Sequence, residues 1–267
     1  MTRNISLLIL MVFAGIFNSS SQNDSPYELS WAKDGTWVGA GLGLNALGFK
    51  LIQDKEDLTM EELAAISKDD VPGIDRWSAG YYSENADKIS YYPFYGSFAV
   101  PFAMMLTEDF SPHAGQISVL FIETMATTGA LYTITAGSIN RSRPLVYNED
   151  LPDNERRESG ARRSFFAGHT AATAAATFFA AKIFNDFNPD SWARPYVWTA
   201  AALVPAYVGY LRLEAGKHFL TDNILGYSIG AVSGILIPEL HKKENSNLSL
   251  YPAAGRDYQG LSLNYSF

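Results

Sequence analysis

The chain has 267 residues, a formal net charge of −8 at pH 7 and no cysteine. Its length allows one large domain or two small ones with a sizeable core. The acidic balance argues against nucleic acid as a partner, because nucleic-acid recognition needs a basic surface. The lack of cysteine excludes disulfides, thiolate chemistry and zinc sites built from cysteine.

The N-terminal segment, residues 1–21, has the layout of a secretory signal. Arg3 precedes an apolar run from Ile5 to Phe17, and small residues follow. The run is short for a membrane span, although an N-terminal anchor stays an alternative. We therefore expect cleavage near Ser21 and export of the remaining chain to a bacterial envelope.

The rest of the chain is predicted to be mainly helical. A short helix is expected after Thr59, which has capping-box spacing with Glu62. Six longer apolar segments are predicted helices: Trp37–Ile52, Phe94–Thr107, Gln116–Gly137, Gly168–Phe184, Ala193–Leu213 and Leu220–Leu240. They are apolar on all sides rather than along one stripe, which is typical of core or membrane helices.

The C-terminal residues have a different pattern, with alternating apolar and polar residues around Gly255-Arg256-Asp257. This pattern predicts a β-hairpin. We therefore divide the chain into a signal peptide (1–21), N-terminal helices and a loop (22–89), a helical core (90–243) and a hairpin tail (244–267). The predicted fold class is all-α, with the hairpin as a small appendage.

Three short polar segments interrupt the apolar pattern, at residues 140–144, 168–170 and 212–222. Each has an ordinary structural explanation by itself, such as an arginine that ends a helix or a histidine that lies at a helix start. Together, however, they hold two of the four histidines of the chain, with arginines and a carboxylate. We therefore interpret them as parts of one site.

His218 is the candidate nucleophile of this site. A nucleophilic histidine must be neutral and held in one tautomer, which a carboxylate on its other ring nitrogen achieves. Asp222 lies four residues later, a spacing that places two helical residues on one face. The backbone N–H groups of a helix that starts at Gly168 could bind an anion, and His169 could protonate a leaving oxygen.

These segments resemble the signature of the type 2 phosphatidic acid phosphatase family, within the acid phosphatase and vanadium haloperoxidase superfamily. That signature reads Lys, six residues, Arg-Pro; then Pro-Ser-Gly-His; then Ser-Arg, five residues, His, three residues, Asp. The resemblance covers roughly residues 90–240. The matching residues are Arg143, Pro144, Gly168, His169, Arg212, His218 and Asp222.

Three positions depart from the family signature. Ala136 stands in place of the lysine, Phe166-Ala167 in place of Pro-Ser, and Leu211 in place of the serine. Loss of one donor or cation from an oxyanion site typically costs ~2–4 kcal/mol of transition-state stabilisation. Arg141 is a candidate auxiliary phosphate ligand that could replace the missing lysine.

The resemblance implies a six-helix bundle with the site at one end, and hydrolysis without a metal or other cofactor. His218 would attack phosphorus and form a phosphohistidine, Asp222 would orient it, and His169 would protonate the leaving group. The phosphoryl oxygens would be held by Arg143, Arg212 and the Gly168 amide. The implied function is an envelope phosphatase that hydrolyses a lipid phosphate or pyrophosphate and is inhibited by vanadate.

Two other functions stay open. One is a vanadium-dependent haloperoxidase, because vanadate mimics phosphate in the same kind of pocket. The other is an envelope protein that has the bundle but has lost the reaction, and the three departures motivate this alternative.

The location is predicted to be either membrane-associated, with a site that faces the periplasm, or soluble periplasmic. Small residues in apolar helices favour membrane packing. The mean hydropathy of −0.05 is low for six spans. Asn45 and Lys50 are also expensive in a bilayer. With a cleaved signal, three spans before Arg143 would put the active loop in the cytoplasm, so one of these segments, Trp37–Ile52, is predicted not to cross.

Overall fold

The computed structural model describes residues 25–243 and two strands at 248–254 and 259–265. The predicted signal peptide at residues 1–21 and the predicted turn at Gly255-Arg256-Asp257 lie outside the described residues. The described part is mainly helical, which confirms the all-α fold class.

Six long helices, of 20 to 25 residues each, form a bundle within the described residues. They are α1 (Trp31–Gln53), α2 (Glu84–Met104), α3 (Ala114–Ser138), α4 (Gly168–Phe187), α5 (Arg194–Glu214) and α6 (Leu220–Leu240). Helix α4 lies at the centre, because it packs against α2, α3, α5 and α6, whereas α1 packs along α3. The predicted six-helix bundle is therefore confirmed.

Short helices occupy the connections. The helix Met60–Ala65 has the predicted capping box between Thr59 and Glu62. The other short helical segments are Lys68–Asp70, Gly73–Arg76, Ser111–His113, Pro144–Tyr147, Asp153–Arg157 and Ser159–Arg162. The last three lie in the polar connection between α3 and α4.

The C-terminal hairpin consists of β1 (Leu248–Ala254) and β2 (Gln259–Tyr265). The two strands are antiparallel, and Leu250 lies opposite Leu263. The predicted hairpin tail is thus present as a pair of strands beside the helical bundle.

Helix α2 begins ten residues earlier than predicted, at Glu84 instead of Phe94. The Ser83 hydroxyl accepts a hydrogen bond from the Ala86 N–H at 3.2 Å and caps the new start. Pro93 therefore lies inside the helix, where it removes one backbone hydrogen bond; packing against α4 and α5 maintains the helix despite this loss. The predicted domain boundary between residues 89 and 90 falls within α2.

The alanine run of α4 allows its neighbours to approach from every side. Ala171, Ala174 and Ala175 have no exposed surface. Helix α6 lies so close that a Cβ at Gly230 would be 2.0 Å from the Ala171 carbonyl oxygen. Glycine is therefore required at this contact, since any side chain would force the two helices apart.

The close contact of α4 with α6 brings their N-terminal ends together. The Ala167 N–H, just before α4, donates to the Asp222 carbonyl oxygen at 3.1 Å. The segment after α3 joins the same end, because the Leu145 N–H donates to the Gly216 carbonyl oxygen at 3.0 Å. Gly216 has a φ of +68°, a conformation that favours glycine and turns the chain toward His218. One end of the bundle therefore collects all three polar segments.

Candidate active site

His218 is buried at this end of the bundle, with 1% of its surface exposed. Its Nδ1 lies 2.6 Å from the carbonyl oxygen of Ser164. A carbonyl oxygen can only accept, so Nδ1 is the protonated nitrogen of the neutral ring. The Nε2 atom therefore has the lone pair that a nucleophile needs.

Asp222 holds the segment that positions His218, and it does so through Ser164. One carboxylate oxygen, Oδ2, accepts from the Ser164 hydroxyl at 2.6 Å and from the Phe219 N–H at 3.0 Å. The sequence predicted a direct bond between Asp222 and His218, whereas the structure places the Ser164 carbonyl at the ring nitrogen. The reason is that α6 begins at Leu220, so His218 precedes the helix and the i, i+4 geometry does not apply.

Arg141 was predicted as an auxiliary phosphate ligand, but its guanidinium pairs with two carboxylates. Nη1 contacts Asp222 Oδ1, and Nη2 lies 2.7 Å from Asp75 Oδ2. Asp75 also accepts from the Thr221 N–H at 3.0 Å. Arg141 therefore ties Asp222 to the connection before α2, and sequence reasoning gave no indication of Asp75.

Three arginines each have one N–H donor, on Nε, that lacks a hydrogen-bond partner within the described residues. The Nε atoms of Arg143, Arg163 and Arg212 are buried and make no hydrogen bond. Arg143 interacts electrostatically with both of the others. Burial lowers the pKa of Arg143 to about 10, so it stays charged at neutral pH. Buried donors of this kind require an acceptor, and a bound anion would supply it.

Lys217 adds a cation next to the nucleophile. Its Nζ lies 3.2 Å from Asp87 Oδ2, and Arg212 contacts the other oxygen of the same carboxylate. Ala136, at the position of the family's lysine, is fully buried. Lys217 thus provides a lysine at this end of the bundle from a different part of the chain. Its position directly before His218 could have indicated from the sequence that it lies near the site.

His169, the second residue of α4, lies against two aromatic rings of α2. Its imidazole is 4.4 Å from the centroid of the Phe94 ring and 5.2 Å from that of Tyr91. Gly168 starts α4 and packs against the Tyr132 ring, where a Cβ would be only 2.6 Å from Cε2. The free N–H groups at this helix start therefore lie beside His169.

The two histidines and the cations interact with one another. Burial, and after it the charges of Arg143 and Arg212, hold the pKa of His218 well below its usual range. His169 also acts electrostatically on His218, and the same two arginines and Lys217 act on His169. Of the predicted site residues, His169, His218, Arg143 and Arg212 are therefore close enough to interact electrostatically, whereas Arg141 pairs with Asp222.

An apolar groove of about 490 Å³ runs beside this region, between α5 and α6. Thr170 and Asn223, the neighbours of His169 and Asp222, line its inner part. Ala206, Tyr210 and Ile224 line its outer part. The groove therefore lies next to residues that adjoin the site, and its outer part is on the surface of the bundle.

Comparison with known proteins finds a family match within the helical core. The family model described as the PAP2 superfamily matches residues 118–246. The match covers just under half of the chain, and over these residues the chain is similar to the PAP2 superfamily. The matched region contains α4 and α6 and the three polar segments, and it begins within α3.

Two curated relatives are named as phosphatases. Phospholipid phosphatase 1 of Rattus norvegicus is 26% identical over 133 residues, which cover 44% of this chain and 47% of the relative. Lipid A 4'-phosphatase of Porphyromonas gingivalis is 30% identical over 82 residues, 31% of each chain. The chain thus spans less than half the length of either relative.

A solved structure is also similar, the transmembrane PAP2-type phosphatidylglycerolphosphate phosphatase from Bacillus subtilis. The sequence identity is 19%, and the TM-score is 0.37. The similarity covers 89% of this chain and 94% of that chain.

Proposed function

We propose that this protein is a membrane-associated phosphatase that removes a phosphoryl group from a lipid phosphate or pyrophosphate through a phosphohistidine. The observation that carries this proposal is the set of buried, unpartnered Nε donors of Arg143, Arg163 and Arg212 beside a neutral His218. The PAP2 match and the names of the two curated relatives support the same chemistry.

In the first step, the lone pair on His218 Nε2 attacks phosphorus and the bond from phosphorus to the leaving oxygen breaks. The Ser164 carbonyl oxygen accepts from Nδ1–H, which fixes this tautomer and stabilises the positive charge that develops on the ring. The leaving oxygen receives its proton from His169. The products are a lipid alcohol, or a lipid monophosphate from a pyrophosphate, and phosphohistidine.

His169 receives the proton for this step once the substrate is bound. Burial, and after it the positive charges of Arg212, Arg143 and Lys217, lower the pKa of His169 to about 3. Because like charges oppose protonation, the anionic phosphate must neutralise the cations before the ring can hold the proton. The acid therefore forms in the complex with substrate. In the second step His169 accepts a proton from water, the hydroxide attacks phosphorus, and inorganic phosphate leaves His218.

The surface of the bundle favours a membrane location. Helix α1 exposes Leu42, Leu44, Leu47 and Phe49, each about half accessible. Large exposed apolar side chains also occur on α2, α3, α5 and α6: Val100, Phe102, Leu131, Leu203, Tyr207, Ile224 and Val232. Such extended apolar surface is typical of contact with lipid rather than water. The groove between α5 and α6 opens on this surface and provides a path for an acyl chain.

Two helical segments of the described residues are long and apolar enough to cross a bilayer, Ser111–Ser138 and Leu220–Leu240. Asn45, which counted against a membrane location, is satisfied within the protein, because its Nδ2 donates to the Gly41 and Ala126 carbonyl oxygens. Lys50 pairs with Asp54 at the end of α1. We place the catalytic end at the periplasmic face of a bacterial envelope.

The central experiment measures phosphate release from lipid phosphates presented in detergent micelles and in vesicles. His218→Ala is expected to lose at least about 10³-fold in kcat, because the nucleophile is absent. His113→Ala is the control, since His113 lies at the far end of α4 against Phe187. Brief mixing with ³²P-labelled substrate is expected to label the wild type at histidine and not the His218 variant.

Two results would overturn the proposal. Unchanged turnover of the His218 variant, at equal thermal stability, would exclude His218 as the nucleophile. Vanadate is expected to inhibit phosphate release, whereas oxidation of bromide by the vanadate-loaded protein with peroxide would identify a haloperoxidase instead.

A further inference from the structure

Three ionisable side chains meet at the end of the bundle opposite to the histidine site. Asp34 lies in the first turn of α1, Glu123 lies within α3, and His241 directly follows α6. Asp222 and His241 are at the two ends of α6, so at 1.5 Å per residue they are roughly 28 Å apart. This cluster is therefore separate from the proposed phosphatase chemistry.

The geometry of the cluster suits a metal ion. His241 Nε2 lies 3.3 Å from Asp34 Oδ1 and 3.2 Å from Glu123 Oε2. The three ligand atoms all lie within 4.8 Å of one another. Adjacent ligands of a tetrahedral or octahedral ion with bonds of ~2.1 Å are roughly 3.0–3.4 Å apart, so the two measured separations match.

The hydrogen bonds around the cluster direct free lone pairs inward. His241 Nδ1 lies 2.8 Å from the Ile237 carbonyl oxygen and must donate to it, which leaves the lone pair on Nε2. A metal-binding histidine commonly donates its other N–H in this way. Asp34 Oδ2 accepts from the Ser30 N–H at 2.7 Å, so Oδ1 is the oxygen that faces the cluster.

Glu123 is the observation that points to a ligand. Its side chain has no exposed surface, and both carboxylate oxygens are buried without a hydrogen-bond partner in the described part of the chain. A proton on His241 Nε2 could be shared with only one of the two carboxylates that this nitrogen faces. A divalent ion compensates both and supplies the missing bonds to Glu123.

We propose that Asp34, Glu123 and His241 bind one divalent transition-metal ion that fastens α1 to α3 and to the end of α6. Mixed imidazole and carboxylate ligands suit Zn²⁺ or Mn²⁺, whereas Mg²⁺ prefers oxygen ligands and retains its waters. The role of the ion is structural, because its ligands come from α1, from α3 and from the end of α6, and the ion would join all three.

The test uses the full-length, detergent-solubilised protein without a histidine tag. Elemental analysis is expected to find about one Zn²⁺ or Mn²⁺ per chain after dialysis. After treatment with EDTA, addition of Zn²⁺ or Mn²⁺ is expected to raise the Tm by about 5–10 °C at a hundredfold excess over Kd, and Mg²⁺ to have little effect. Glu123→Gln is expected to abolish this increase. Glu239→Gln, at the same end but paired with Lys182 and Lys242, should retain it.

Glu123→Gln also tests whether a lost response to metal comes only from misfolding. Glu123→Gln removes an unpartnered buried carboxylate, so it is expected to have a Tm at least equal to that of the EDTA-treated wild type. Phosphate release per folded molecule should be unchanged in this variant. The proposal is wrong if no metal co-purifies and Zn²⁺ and Mn²⁺ do not shift the Tm of the wild type, since the three groups would then be held by protons alone.

Discussion

Replacing Asp222 with asparagine tests how the nucleophile is held. The Asp222 carboxylate is fully buried and accepts from Arg141, from the Ser164 hydroxyl at 2.6 Å and from a backbone N–H at 3.0 Å. Asparagine offers one acceptor oxygen and presents an N–H₂ group to donors, so at least one charge-assisted bond, about 1.5–3 kcal/mol, is lost. Arg141 keeps Asp75 as a partner, so we expect a total loss of about 2–4 kcal/mol in the free energy of unfolding.

The effect of Asp222→Asn on turnover separates indirect from direct positioning. The Ser164 carbonyl that holds His218 Nδ1 stays in place in the variant, and only the bond from the Ser164 hydroxyl to residue 222 weakens. At about 1.5–3 kcal/mol, this bond limits the loss in kcat to about 10–150-fold. A carboxylate bound directly to a catalytic imidazole typically contributes about 10⁴-fold. We therefore expect a loss of 10- to 100-fold, with the Nδ1–H tautomer of His218 retained.

The assay compares kcat for phosphate release in Asp222→Asn and Ser164→Ala, with ¹⁵N NMR of the histidine rings as the readout of the tautomer. Ser164→Ala is the matched control, because it removes the hydroxyl and keeps the carbonyl. Its kcat should fall by no more than that of Asp222→Asn. A loss of about 10⁴-fold in Asp222→Asn, with normal turnover in Ser164→Ala, would refute the reasoning and establish a direct bond from Asp222 to His218.

Three further outcomes are expected. Arg163→Gln should lower kcat/KM for phosphate release by about 10–100-fold through loss of one charge-assisted contact, and an effect below twofold would show that Arg163 does not touch the phosphate. Ala206→Trp should raise KM about tenfold for long-chain lipid phosphates, because the new side chain fills the groove, and should leave KM for a short soluble substrate unchanged. Leu203→Trp, on α5 but outside the groove lining, is the control. The pKa of folded His218 lies below its unfolded value of ~6.5, so the unfolded state binds more protons at acid pH. The free energy of unfolding should therefore fall below pH 6.5, by at most about 1.4 kcal/mol per pH unit. Urea titrations at pH 5 and 7 check this, and a His218→Asn variant whose stability depends on pH as strongly as that of the wild type would contradict it.

The sequence was sufficient for the bundle and for most of the residues that surround the site. Apolar segments of helix length gave all six helices, because a core helix must be apolar wherever it is covered. The signature residues Arg143, His169, Arg212 and His218 meet at one end because α4 and α6 start there. The match to the family signature identified them, and the spacing of that signature fixes which helix end each residue occupies.

The partners of these residues could not be predicted, because they come from distant connections. Ser164 and Asp75 lie 58 and 146 positions from the α6 residues that they contact, and no local pattern marks either. The assumed bond between Asp222 and His218 required both residues to be helical. The chain turns at Gly216, and α6 starts only at Leu220. His218 therefore precedes the helix, and the predicted i, i+4 geometry with Asp222 does not apply although the spacing matches the signature.

The energetics of the site favour an active enzyme over a bundle that has lost its reaction. Arg143, Arg163 and Arg212 each bury an Nε donor without a partner, and each such donor costs about 1–3 kcal/mol. Apolar residues of similar volume at these positions would be neutral or stabilising in a purely structural protein. Lys217 adds a further cation at the same end, although Ala136 removes the family's lysine. An anionic substrate would explain a cluster that destabilises the free protein in this way. The substrate would accept hydrogen bonds from these donors, so the lost free energy is regained when the substrate and its transition state are bound.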